Sequence, residues 1–190
     1  MTYRRTDIVE RAIGVLDLYG LPDLSMRRIA GELGIQPSAL YHHFASKQAL
    51  LAAVADELLL RGARPDSADD AWDVRAIALS RELRDAMLAY RDGAELIATV
   101  HAFGLGAATP ANRLTAAIAG GGFDAEFAHS AATTILYFVF GHVSDEQTHL
   151  QANSIGAIDA PIADGSMSFA LGLSLILDGI RLRDPAAVRR

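Results

Sequence analysis

The residues best suited to chemistry lie between positions 25 and 47, where cations flank a short predicted helix. Arg27 carries a guanidinium, which can pair in a bidentate manner with either a guanine edge or a phosphate. Lys47, the only lysine of the chain, stands at the start of a long predicted helix. A long cation at that place suits a phosphate, which positions a protein on DNA without reading its sequence. Both cations therefore suit a phosphate, and the guanidinium also suits a guanine edge.

Two short helices must position these residues. The first is predicted to begin after Ser25, a suitable N-cap, and to end at Leu33 before the helix-breaking Gly34. The second is predicted over residues 37–44, with Pro37 in its first turn. This is the helix-turn-helix arrangement, whose second helix enters the DNA major groove with its N-terminal end toward the bases. The residues at that end are Gln36, Pro37, Ser38 and Ala39.

The order of residues after this turn resembles the N-terminal hallmark of the TetR family of one-component transcriptional regulators. The matching positions are Gly34, Leu40, Tyr41, His43, Phe44, Ser46, Lys47 and Leu50. The resemblance implies that Arg27 touches a base edge or a phosphate. It also implies that a set of polar residues contacts the DNA backbone and flanks the bases, namely Tyr41, His42, His43 and Lys47.

Some residues of this segment have a structural alternative. Phe44 is expected in the core of the small head, and Tyr41 also fits a core position. His43 fits a hydrogen bond between helices as well as a DNA contact. Arg28 is expected on a solvated face rather than at a base. Arg4 and Arg5 are expected on a flexible arm beside the DNA backbone.

Helical periodicity runs through the rest of the chain, and no strand alternation or repeat is apparent. The predicted fold is all-α, with an N-terminal three-helix DNA-binding head and a C-terminal helical domain for ligand binding and dimerisation. The predicted domains are 1–47, a connecting helix at 48–64, and 65–190. A long helix is expected over 124–149, a loop or disordered segment over 152–165 and a last helix over 166–183. Segments of this body resemble the ligand domain of tetracycline repressors within the same family.

A homodimer is expected because one head makes few phosphate contacts, and two heads about 34–36 Å apart would read a palindromic operator. The helices expected over 124–149 and 166–183 offer apolar faces with small residues, and four such helices from two chains make a bundle. The alternative is that the same residues form a core within one chain. The predicted faces consist of Ala131, Ala132, Leu136, Phe140 and Val143, together with Gly172, Leu175, Ile176 and Gly179.

The family resemblance implies a small-molecule effector that binds the conformation unable to hold DNA. The predicted pocket lies within 72–118 and is closed by the long helix, although apolar helical stripes are also the ordinary signature of a core. Its predicted lining is Leu79, Leu83, Met87, Ile97, Val100, His101, Leu114, Ile118, Tyr137 and Asp145. His101 and Tyr137 would serve as polar anchors, and Asp145 matches an acidic residue that reaches the ligand site in tetracycline repressors.

One departure from tetracycline repressors concerns metal binding. When the sequences are aligned on residues 91–94, the metal-binding histidine of those repressors falls on Ile97, which cannot ligate Mg²⁺. Leu79 and Leu83 replace a polar and an aromatic pocket residue. We therefore expect a hydrophobic or aromatic effector, no metal–tetracycline chelate and no cofactor. The alignment requires one inserted residue before Phe123, which leaves open a shift of His101 toward the metal-binding position.

A second polar row follows the long helix at the spacing i, i+3, i+4 and i+7. It consists of His142, Asp145, Glu146 and His149. Such a row can hold a metal ion, but a polar patch near a helix end is more often a solvated face or a set of hydrogen bonds at an interface. The sequence does not decide between these interpretations.

Composition limits the other classes of function. The chain has 190 residues, no cysteine and a formal net charge of −6, which argues against bulk-charge coating of nucleic acid. The charge is uneven, with net +1 over residues 1–64 and net −7 over 65–190. We expect no enzyme, because there is no phosphate loop or nucleophile elbow. We expect no membrane segment or export signal, and hence a cytoplasmic protein. The alternative to a repressor is a helical small-molecule carrier or adaptor that has lost specific DNA reading.

Overall fold

The computed structural model describes residues 3–65, 67, 69–158 and 165–183. These residues form helices and turns and no strand, which confirms the all-α prediction. The helices in the described part of the chain are α1 (Arg5–Tyr19), α2 (Met26–Leu33), α3 (Pro37–Tyr41), α4 (Lys47–Gly62), α5 (Trp72–Leu88), α6 (Gly93–Ala102), α7 (Thr109–Ala119), α8 (Ala125–Ser154) and α9 (Gly165–Arg181). No helix among the described residues is both long enough and apolar enough to cross a membrane.

The chain divides into two compact units. The first unit consists of Met1–Ala63 and Asp85–Ala108, and the second of Arg64–Arg84 and Thr109–Arg190. Helix α6 therefore belongs to the same unit as the helix-turn-helix. The predicted domain boundaries divide the chain by expected role rather than by contact, and they stay a prediction.

The first unit has an apolar core built from the helices α1 to α4 and from α6. Helix α1 packs on α2 and α4, α2 packs on α3, and α4 packs on α6. Ile8, Leu16 and Phe44 are among its fully buried large side chains. Burying side chains of this size contributes about 1.5–3 kcal/mol each. The packing fixes the orientation of α2 and α3.

The second unit is built on α8, which packs on α7 and α9. An aromatic cluster closes the corner between α7 and α8. The Trp72 ring meets the Phe123 ring edge-on at 5.3 Å between centroids, and Phe123 stacks on Phe127 at 5.1 Å. Arg181 near the end of α9 pairs with Asp73 at the start of α5, and this pairing lowers the pKa of Asp73.

Two helix ends differ from the predicted ones. Helix α3 ends at Tyr41 rather than at Phe44, because the Leu40 carbonyl accepts from the backbone N–H groups of both His43 and Phe44, which closes the helix in a turn. Helix α8 continues past the predicted end at 149, because its glycine stop is Gly156, with φ of +68°. Residues 159–164 of the predicted loop lie outside the described residues.

Candidate nucleic-acid interface and ligand-binding residues

The turn between α2 and α3 is fixed by local hydrogen bonds. The Ser25 hydroxyl accepts from the backbone N–H of Arg28 at 3.2 Å, which caps α2 as predicted. Gly34 ends α2 in the left-handed conformation at φ +66°, and the N–H of Ile35 then donates to Ala30 O at 3.0 Å. Pro37 starts α3 without an N–H to satisfy. The second helix of the motif is therefore held at a defined angle.

None of the nine predicted DNA-contacting residues is buried. The exposed ones are Arg27, Gln36, Ser38, Tyr41 and His42, and the half-buried ones are Pro37, Ala39, His43 and Lys47. Below this surface, Ile29, Leu40 and Phe44 are buried. The turn thus presents its polar and aromatic side to solvent and its apolar side to the core. The assignment of these residues to DNA contact stays a prediction.

Phe44 and Tyr41 have different environments. Phe44 is 1% exposed, as expected for a core residue, whereas Tyr41 is 54% exposed and does not belong to the core. Lys47 is the first residue of α4, and the N-cap Ser46 accepts from the N–H of Ala49 at 3.1 Å. The start of α4 is therefore well defined where Lys47 stands.

The expectation of a flexible arm is wrong for Arg5, which is the first residue of α1. The N–H of Arg4 donates to the Asp7 carboxylate at 2.7 Å, and the Tyr3 hydroxyl donates to Leu33 O at 2.9 Å. The guanidinium carbon of Arg5 lies 4.4 Å from the centre of the Phe44 ring. This contact joins α1 to the turn after α3, and the sequence contains no local signal for it.

Arg28 packs within the head. Its guanidinium carbon lies 3.9 Å from the centre of the Tyr19 ring, and its Nε is 3.5 Å from a carboxylate oxygen of Glu32. The expected solvated face is therefore only partly right, because Arg28 is half-buried and connects α1 with α2. These contacts leave Arg27 as the exposed arginine of α2.

The predicted ligand-binding residues are distributed over both units. In the first unit Met87, Ile97 and Val100 are buried, and His101 is half-buried with Nδ1 3.2 Å from Ala107 O. In the second unit the four aliphatic members are buried, while two polar members are exposed. The buried ones are Leu79, Leu83, Leu114 and Ile118, and the exposed ones are Tyr137 and Asp145. Tyr137 is 67% exposed on the single chain. A common pocket for the ten residues stays a prediction.

The prediction of the apolar face on α8 is wrong. All five of its residues on α8 are buried within the single chain, because α7 and α9 pack on this helix: Ala131, Ala132, Leu136, Phe140 and Val143. On α9, Leu175 is 66% exposed and Gly179 is exposed, but Gly172 and Ile176 are half-buried. A Cβ on Gly172 would lie 2.6 Å from the Phe138 ring, so this glycine permits close contact between α8 and α9 within one chain.

Other apolar side chains of α8 and α9 are exposed, and we call them together the α8–α9 surface. It consists of Tyr137, Met167, Leu171 and Leu175, with exposures of 67%, 71%, 63% and 66%. Of these four residues, periodicity selected only Leu175 for the predicted dimer face, because both helices carry apolar residues on more than one side. Exposed apolar area of this kind commonly marks a protein interface.

The polar row of α8 does not converge on one point. His142 Nε2 lies 3.2 Å from Gly165 O, and its ring packs against the rings of Phe138 and Phe169. Glu146 instead pairs with Arg84, and Asp145 lies 3.6 Å from the Nδ1 of His149. Within the described ranges, no group of three or more histidine or carboxylate side chains is arranged to hold a metal ion. The row is a set of separate contacts in the structure.

Two family models match the chain. The model described as "Bacterial regulatory proteins, tetR family" matches residues 8–54, and the one described as "Tetracyclin repressor-like, C-terminal domain" matches residues 64–165. The second match covers more than half of the chain.

Relatives with names and solved structures agree with these matches. The class A tetracycline repressor protein from transposon 1721 of Escherichia coli is 33% identical, over 93% of this chain and 89% of the relative. The crystal structure of Mycobacterium smegmatis BioQ is 42% identical, covers 93% of this chain and 97% of that one, and has a TM-score of 0.87.

Two further structures contain partners. BioQ with its double-stranded DNA operator is 40% identical, covers 93% of this chain and 97% of that one, and has a TM-score of 0.81. The Streptomyces coelicolor TetR family protein ActR in complex with (S)-DNPA is 26% identical, covers 96% of this chain and 98% of that one, and has a TM-score of 0.78. This chain therefore belongs to the TetR family of helix-turn-helix transcriptional regulators.

Proposed function

We propose that this protein is a transcriptional repressor that binds a palindromic DNA operator as a homodimer and releases it when a small hydrophobic or aromatic effector binds. The observation that carries the proposal is the solvent-facing side of the helix-turn-helix, where the exposed Arg27 of α2 and Tyr41 of α3 and the half-buried Lys47 at the start of α4 lie over a packed core. A helix-turn-helix places such a face in the major groove. The BioQ structure with its operator supports this function for a chain of the same fold.

The homodimer is supported by the α8–α9 surface. Three aliphatic side chains of α9, Met167, Leu171 and Leu175, are each more than 60% exposed on the single chain. Covering them with the same surface of a second copy would bury apolar area that one chain leaves in water. Two copies would also supply the two heads that a palindrome requires.

The effector proposal rests on the apolar character of the predicted lining. Ile97 is fully buried and has no side-chain atom that can ligate a metal, which favours an organic molecule recognised by shape and apolar contact over a metal chelate. The ActR complex shows that a relative of this fold holds a small organic ligand. Effector binding must favour the conformation that does not hold DNA, since that difference in affinity is the coupling free energy.

The test is selection of duplexes from a random-sequence DNA pool with the purified protein near physiological salt. We expect a palindromic motif with half-sites about one helical turn apart. The double variant Arg27→Ala, Tyr41→Ala should lose specific retention, while Gln48→Ala, an exposed residue of α4, should retain it. Recovery of no motif, or binding that disappears with modest salt, would favour the carrier or adaptor alternative instead.

A further inference from the structure

The Arg5 side chain is held at the end of the recognition turn by two contacts. Its guanidinium carbon lies 4.4 Å from the centre of the Phe44 ring, within the range of a cation–π contact. Its Nη1 donates to the carbonyl oxygen of His43 at 3.5 Å. Both partners follow α3 directly in the chain, so the cation stands next to the segment that carries Tyr41 and His42.

The backbone before and after Arg5 is also fixed. The Tyr3 hydroxyl donates to the carbonyl of Leu33 at the end of α2, and the N–H of Arg4 donates to Asp7. Arg5 is therefore placed by contacts to α2, to the turn after α3 and to its own helix. A side chain that is ordered before binding loses less entropy when it meets a partner.

Most of the Arg5 guanidinium is available for another partner. A guanidinium has five N–H donors, and the His43 carbonyl accepts from one. Among the described residues, no carboxylate pairs with Arg5. The acidic side chains near the start of α1 are engaged elsewhere, since Asp7 accepts from Arg4 N and Glu10 pairs with Arg61. The residue is also exposed, so its charge faces solvent.

We propose that Arg5 is a phosphate-contacting residue of the DNA interface, positioned by the Phe44 ring and the His43 carbonyl. The proposal rests on the proposed DNA binding. A planar guanidinium binds a phosphate through two parallel N–H groups, and stacking on an aromatic ring fixes the plane in which these two groups lie. Such a contact fixes the register of the head on the duplex and does not select a base.

The test measures operator affinity against salt for Arg5→Met and Arg5→Lys, with a fluorescent duplex recovered by wild-type selection. Methionine keeps an apolar stem that can pack on Phe44 but has no charge, and lysine keeps the charge. Each phosphate contact contributes about 0.9 to the slope of log K against log salt, so two heads contribute about 1.8. The affinity ratio of wild type to Arg5→Met should therefore shrink about tenfold between 50 and 200 mM salt.

The matched control is Arg11→Met, which removes the same charge from the same helix. Arg11 lines a surface groove with Tyr3, Gly14 and Leu33, and its position six residues after Arg5 places it about 120° away around the helix. We expect Arg11→Met to keep the wild-type slope and Arg5→Lys to keep most of it. The loss in Arg5→Met should be the same on operators with single base changes, because phosphates are common to all of them.

Two results would overturn the assignment alone. In the first, the wild type binds its operator and Arg5→Met shows the same affinity and slope. In the second, Arg5→Met and Arg5→Lys lose affinity equally with unchanged slope, which would show that Arg5 only packs on Phe44. A wild-type protein that selects no duplex would instead overturn the proposed function itself. Melting temperatures of all variants establish that each one is folded.

Discussion

Tyr41 and Phe44 stand three residues apart in the chain but lie in different environments. Tyr41 is 54% exposed and Phe44 is 1% exposed. The aromatic ring in the core sets the position of the turn, and the exposed ring is free to contact a partner. Within this turn, stability and recognition are therefore carried by different residues, and substitutions should separate them.

At this scale we expect Phe44→Ala to lower the free energy of unfolding by about 3–5 kcal/mol, because it leaves a cavity in the core. Tyr41→Ala should change the free energy of unfolding by about 0.5 kcal/mol or less and should weaken operator binding. Urea denaturation followed by circular dichroism measures the first quantity, and anisotropy titration measures the second. A large loss of stability in Tyr41→Ala would contradict the division of roles.

The core role of Phe44 was predictable from the sequence, because a large apolar residue at the end of a helix-turn-helix pattern is expected to be buried against the neighbouring helices. The fixed position of Arg5 was not predictable. Its contact with His43 joins residues 38 positions apart, and only the packing of α1 brings them together. For the same reason, the contact of Arg28 with Tyr19 has no signal in either local segment.

Helix α6 is joined to the head at both of its ends. At its start, the Asp92 carboxylate accepts from the N–H of Leu21 at 2.8 Å, and Asp92 adopts φ of +54°. Gly20 is required beside it, because a Cβ there would lie 2.5 Å from the Asp92 carboxylate. After its end, the Asp56 carboxylate of α4 accepts from the N–H of Ala107 at 2.8 Å. These bonds explain why α6 belongs to the first unit.

At the scale of the element we expect Asp56→Ala to release the segment after α6. Loss of a hydrogen bond to a charged acceptor should lower the local stability by about 1–2 kcal/mol, and amide exchange at Ala107 should be about 5–30 times faster. Hydrogen exchange with mass spectrometry of the 103–108 peptide measures this change. Asp56→Asn is the matched control, since its amide oxygen can still accept. Equal exchange in both variants would show that the negative charge, and not the acceptor, holds the loop.

The ion pair between α5 and α9 predicts a dependence of stability on pH. The hydrogen bonds that Arg181 donates to Asp73 hold the pKa of this carboxyl below the ordinary value of 3.8. A lowered folded-state pKa contributes stability that is fully present above the unfolded pKa and is lost as the pH falls through the folded one. The melting temperature of wild type should therefore exceed that of Asp73→Asn by a constant margin above about pH 5 and should approach it below about pH 3. A margin that persists at low pH would exclude this origin.

Most helices of the chain were predictable from caps and glycine stops. Ser25, Ser46 and Asp124 each accept a backbone N–H at the start of a helix, and Gly20 and Gly34 each end one. The late end of α8 was missed, because a polar composition after residue 149 resembles a loop although the helix continues. The polar composition after residue 149 indicates that this part of α8 is exposed to solvent, whereas Gly156 determines where the helix ends.

At the scale of the whole molecule, the proposed homodimer depends on the α8–α9 surface. We expect Leu171→Glu to shift the protein toward monomer, because a buried unpaired carboxylate opposes the contact. Light scattering after size exclusion measures the mass. Leu60→Glu is the control, since Leu60 is 69% exposed on α4, in the other unit. Operator affinity should fall with the monomer fraction. An unchanged mass in Leu171→Glu would remove this surface from the proposed interface.

The sequence indicated that α8 and α9 are apolar but not which sides of them remain exposed. Leu136 and Val143 belong to the same apolar stripes that periodicity selects, yet neighbouring helices of the same chain bury both. Whether an apolar face is core or interface depends on how many neighbours the chain itself supplies. That number follows from the tertiary arrangement rather than from any one helix.

The two compact units and the single tryptophan together give an optical reporter of cooperativity. Trp72 is the only tryptophan of the chain and stands in the second unit against Phe123. Its emission therefore follows the unfolding of the second unit, whereas far-ultraviolet circular dichroism follows the helices of both. Coincident transitions would show that the units unfold as one. An earlier transition by circular dichroism would show that the DNA-binding unit melts first and leaves the second unit folded.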